Sequence, residues 1–117
     1  MTDREMRRVM PFPYEGDRFP PALGAVVQNT VLRGEQPARE VIHTPAGEWC
    51  TGDGVNDPNI PGAVTATHIS HVVERNGSIV SLATMPPGHI AHRLGPGHDW
   101  EVRILTGWGQ EQDRSSA

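Results

Sequence analysis

The sequence predicts an α+β fold: a small antiparallel sheet of about five or six strands, with one or two short helices inserted between strands and packed on one face. Three observations lead there. Short β-branched runs, such as Ala25 to Leu32 and Arg39 to Thr44, end in turn residues. A single helix-period stripe of Ile69, Val72 and Val73 interrupts them. Thirteen glycines and eleven prolines among 117 residues favour short elements joined by many turns.

Residues 1 to about 22 turn from polar to proline-rich, and prolines at this density block both helices and strand ladders. They read as an extended arm, with Phe12, Tyr14 and Phe19 pinning it to its own domain or to a partner. A single domain follows over 23–109, and the polar segment 110–117 reads as a disordered tail. Within the domain, Ala25 to Leu32 is the first strand. Arg39 to Thr44 is the second, with Val41 and His43 facing one way and Glu40 and Ile42 the other. Pro45-Ala46-Gly47 turns the chain into Glu48 to Thr51, which closes an antiparallel meander. Gly52 to Gly62 is a long loop rich in Asp, Asn, Pro and Gly. Ala63 to Ala66 is a short strand, and Thr67 suits the N-cap of the helix that carries the apolar stripe. Asn76-Gly77 ends that helix, Ser78 caps a second one, and Pro86-Pro87-Gly88 stops it. His89 to Leu94 and Glu101 to Leu105 are the closing strands.

Composition narrows the function. The formal net charge is −4, with no basic run beyond Arg7-Arg8, so nucleic acid is not an expected partner. All ten basic residues are arginine, which removes Schiff-base and phosphate-loop lysines. Cys50 is the only cysteine, so neither an internal disulfide nor a cysteine-rich zinc motif can form. No apolar run is long enough to span a membrane, and no hydrophobic signal core opens the chain, so a cytoplasmic protein is expected.

Five of the six histidines fall at or after His68. His68 and His71 lie three apart on the expected helix, which puts both rings on one face. Joined by His89 and His92, they could ligate zinc or iron, with Asp99 or Glu101 as general base beside a metal-bound water. A cupin-type motif is not met: it needs histidines two apart on a strand, and His89 and His92 are three apart. Nothing near Cys50 would lower its pKa, no Gly-x-Ser-x-Gly elbow occurs, and the Gly52–Gly62 loop lacks the closing glutamate of a helix-loop-helix calcium site. Long irregular loops are often binding edges, and an exposed tryptophan makes a good anchor. Asp53, Asp57 and Trp108 are therefore the candidate binding residues.

The order of Glu48-Trp49, Gly52-Asp53, His68 to His71, Ser78-Ile79, Met85-Pro86-Pro87-Gly88, Arg93 and Trp100 resembles a bacterial domain of unknown function that is itself similar to toxin-neutralising immunity proteins. The resemblance spans Ala25 to Trp100 and departs from the pattern at Cys50, His89 and His92. It implies an accessory role through protein–protein contact and brings no catalytic residues with it. The expectation is a non-enzymatic binding protein without a cofactor, monomeric or homodimeric. The alternative is a small metal-dependent enzyme built on the four histidines.

Overall fold

A computed structural model describes residues 9–106. The strands are β1 (Gly24–Gln28), β2 (Glu40–His43), β3 (Trp49–Gly52), β4 (Val64–His68), β5 (His89–His92) and β6 (Glu101–Ile104). Between them lie α1 (Asn29–Leu32), α2 (Ile69–Arg75) and a 3-10 helix, Gly77–Thr84. The fold is α+β, one six-stranded sheet in the order β4-β1-β3-β2-β5-β6.

The expected antiparallel meander of the first three strands does not form. β1 pairs in parallel with β3, with Val26 opposite Cys50, and antiparallel with β4 along its whole length. β2 turns back on β3 through the Pro45-Ala46-Gly47 turn and then receives β5. The sheet is therefore mixed. A parallel pair needs a crossover connection, and α1 begins it where the sequence suggests that the first strand continues. Asn29 leaves the strand there: its amide N–H donates to the Ala63 carbonyl and its side chain donates to the Gly62 carbonyl. Thr67 likewise lies inside β4, so His68 and not Thr67 precedes the first turn of α2, with no side-chain cap.

One face of the sheet carries the core. Ala25, Val27, Val41, Trp49 and Ala91 point to it and pack against Val31, Ile69, Val72, Ile79 and Leu82 of the helices. The arm is part of this layer. Tyr14 is buried, and its hydroxyl accepts a hydrogen bond from Trp49 Nε1 at 2.7 Å. Phe12 and Phe19 pack beside it, Phe19 edge-on to Trp49 with ring centroids 4.9 Å apart. His43, only 1% exposed, stacks on the other side of Trp49 at 4.0 Å and 16°. Its Nδ1 lies 2.8 Å from the Met85 carbonyl, which can only accept, so Nδ1 carries the proton. The arm from Val9 onward thus closes the core on its own chain. The tail at 110–117 lies outside the described residues.

Candidate interaction surface

Asp53 comes from the loop expected to bind, yet its carboxylate is not on the surface. The residue is 0% exposed. Its Oδ1 accepts from the amides of Val55 and Asn56 at 2.9 and 2.8 Å, and its Oδ2 from Thr30 Oγ1 and Asn56 Nδ2 at 2.6 and 2.7 Å. Burial by itself would raise the pKa, but these four donors outweigh it and hold the carboxyl at about 2. Gln28 Oε1 accepts from the Asp53 amide, and Arg39 donates to its carbonyl. Asp53 is thus the knot that ties the loop to β1 and α1, and it has no lone pair to offer a partner. Asp57 is exposed farther along the loop, where it accepts from the Asn59 amide at 2.9 Å. Trp108 lies outside the described residues. Of the three candidate binding residues, only Asp57 is placed at the surface.

The histidines fall into separate places. His68 ends β4, His71 lies on α2, and their rings stand 6.1 Å apart and nearly parallel. His71 Nδ1 is 4.0 Å from Glu74. His89 and His92 lie on β5, four strand spacings from β4, about 19 Å at the usual separation. Metal–nitrogen bonds are only about 2.0–2.1 Å long, so β4 and β5 cannot contribute to one ion. His89 and His92 also diverge: His92 is opposite Glu40 and His89 is opposite buried His43, on the other face. Among the described residues no group of three or more His, Cys, Asp or Glu side chains converges.

The face opposite the core is different in kind. A row of paired residues crosses the sheet there: Ala66, Val26, Cys50, Ile42, Ile90 and Arg103, each opposite the next. The first five are half-buried, and none belongs to the core cluster. The end of the Asp53 loop rises beside them and forms an apolar groove of about 290 Å³, lined by Val26, Ile42, Cys50, Pro58 and Val64. Glu40 also lines the groove, and Glu48 lies close enough to act on the Cys50 thiol. Burial first, and Glu48 second, push that thiol up to about 11, which favours the neutral thiol over the reactive thiolate. The sequence carried a signal for this face. β1, β2 and β5 place apolar residues on both phases of the alternation, where a strand with one wet face would be polar on the second.

A larger cleft of about 720 Å³ opens beside Arg93. Arg93 is only 4% exposed. It donates from Nε to the Ala38 carbonyl at 2.9 Å and from Nη1 to Ser78 Oγ at 2.6 Å, and its guanidinium lies 4.3 Å from the centre of the Trp100 ring. These contacts clamp the end of β5 to the 3-10 helix. The cleft sets Arg75 and Arg93 against Glu35 and Glu74, so it has no bias toward either sign of ligand.

No protein-family model matches this chain, and neither a curated protein nor a solved structure is significantly similar to it. Among the described residues no helix is long and apolar enough to cross a membrane.

Proposed function

We propose that this protein is a non-catalytic binding module that presents the open face of its sheet to a protein partner. The observation that carries the reading is the apolar row Val26, Cys50, Ile42 and Ile90, which crosses four strands with no helix packed over it among the described residues. An apolar centre with a polar rim is the anatomy of a protein interface. Glu40 and Glu48 border the row, and the chain carries a net charge of −4. The fitting partner is a protein with an apolar patch rimmed by basic residues, and the acidic rim would speed its encounter. An immunity-like role, occluding a basic toxin surface, is the specific form of this reading that the resemblance supports.

The test is comparative capture from the native lysate. Immobilised wild type, an I42D/I90D double variant and a V80D variant on the helical side are exposed to the same extract. The wild type and V80D retain a common partner, and I42D/I90D loses it. A partner retained by I42D/I90D would place the interface elsewhere and overturn the assignment.

A further inference from the structure

We infer that β6 is a self-recognition edge, through which two copies of this chain join their sheets antiparallel about Val102. Among the described residues β6 is the last strand of the sheet, and all four of its residues are exposed. Val102 and Ile104 are 48% and 66% exposed, on the same side of the strand as Trp100. An exposed edge with alternating apolar residues is a template for pairing with another chain.

The ladder between β5 and β6 shows which backbone groups remain for a partner. The Leu105 amide donates to the Gly88 carbonyl at 2.8 Å, and Ile104 is opposite His89. In an antiparallel pair, hydrogen-bonded and non-hydrogen-bonded residue pairs alternate. Glu101, Arg103 and Leu105 therefore turn their N–H and C=O groups toward β5. Val102 and Ile104 turn theirs outward.

A symmetric antiparallel partner must set outward groups against outward groups. With the central part of β6 overlapped, three two-fold registers satisfy this, centred on Glu101, Val102 or Arg103. The first puts Glu101 directly opposite its own copy, and the third does the same with Arg103. Like charges directly opposite are destabilising. The register centred on Val102 puts Glu101 opposite the partner's Arg103 twice. Those positions are non-hydrogen-bonded, where facing Cα atoms are only about 4.5 Å apart and side chains are closest. On the other side of the strand the same register pairs Val102 with its copy and brings the partner's Ile104 beside the Trp100 end of the strand. One register thus satisfies charge, apolar contact and backbone together.

The other edge has no such selection. β4 reads Val-Thr-Ala-Thr-His, and α2 follows it immediately at Ile69. No pair of opposite charges along it fixes a register.

The contact is a single short strand, smaller than a permanent interface requires, so the dimer is a reversible, concentration-dependent one. The two-fold axis runs perpendicular to the sheet, so both open faces lie on the same side of a twelve-stranded sheet. The inference stands without the partner-binding reading, because it uses the backbone edge of β6 and not the apolar row Val26, Cys50, Ile42 and Ile90.

Sedimentation velocity from about 10 µM to 1 mM tests it, at low salt where ion pairs are least screened. The wild type shifts from monomer toward dimer across the range. E101R carries two arginines on this edge and R103E two glutamates, so each alone stays monomeric, while an equimolar mixture of the two dimerises. V102P removes an outward amide and abolishes association, and thermal melts check that all three variants remain folded. A wild type that stays monomeric at 1 mM overturns the inference. So does association that survives in V102P, or a mixture that does not dimerise.

Discussion

The two faces of this sheet are made by alternate residues of the same strands, yet they differ in almost every physical respect. On the covered face Trp49 is enclosed by His43, Phe19 and Tyr14, and its indole N–H is satisfied by the Tyr14 hydroxyl. One residue later, Cys50 lies half-buried in the groove beside Val26 and Ile42. The covered face is filled and hydrogen-bonded, so it resists change of any kind. The apolar residues of the open face are half-buried and lie outside the core cluster, so each contributes less to folding than a fully buried core side chain.

The largest effect that would sharpen this contrast is Trp49→Ala. It removes the central ring and strands the Tyr14 hydroxyl, and it should cost about 4 kcal/mol in a urea unfolding titration. A loss under about 1 kcal/mol would mean that the arm and His43 do not pack on the indole.

Next comes Asp53→Ala, which leaves the Thr30 hydroxyl and two backbone amides without their acceptor and should cost on the order of 3 kcal/mol. The same site sets an acid limit. The Asp53 carboxyl is held at about 2 in the fold against an ordinary value of 3.8. The folded state therefore binds fewer protons than the unfolded one in this window, and the stability this gives is full above about pH 4 and fades as the pH falls toward 2. His43 acts with the same sign at higher pH. Burial, the main cause, lowers its pKa below the ordinary 6.5, against its backbone hydrogen bonds. The imidazole stays neutral in the fold while the unfolded chain takes up a proton, so stability declines as the pH drops below about 6.5. Thermal melts from pH 7.5 to 2.5 read both steps. Asp53→Ala should flatten the lower one and leave the upper one in place.

The smallest effect belongs to the open face. Ile42→Ser should change stability by under about 1 kcal/mol, well below the cost of truncating a core residue. A loss above about 2 kcal/mol would show that Ile42 is structurally buried, and the open face would lose its claim to be a recognition surface.

Much of the fold was legible because period carries so much information. The stripe of Ile69, Val72 and Val73 gave α2, and the alternation in Arg39 to Thr44 correctly put Val41 and His43 on one face of β2. The parallel pairing of β1 with β3 was not legible. Nothing local distinguishes it from a meander, and it depends on α1, whose helical turn Asn29 starts through contacts with a loop more than thirty residues away. The site was read less well for two reasons. Asp53 looked like a surface acid because its four hydrogen-bond donors are assembled only by the folded loop and α1. The histidines looked like a cluster because nearness in sequence does not survive a strand order that separates β4 from β5.

That strand order also has a history written into it. The block β4-β1-β3-β2 is made entirely from the first 68 residues, and β5 and β6 add to a single flank, against β2. A chain emerging from its N-terminus can lay down four adjacent strands before the last two exist. Until β5 arrives, β2 is the bare margin of that intermediate, with Val41 on its inner side. The helices that cover Trp49 and Val41 are delivered in the same interval, between β4 and β5. β4 and β5 thus add to opposite flanks of the β1-β3-β2 block, and a sheet made only from the first 68 residues would leave the β2 flank open to pairing with another chain.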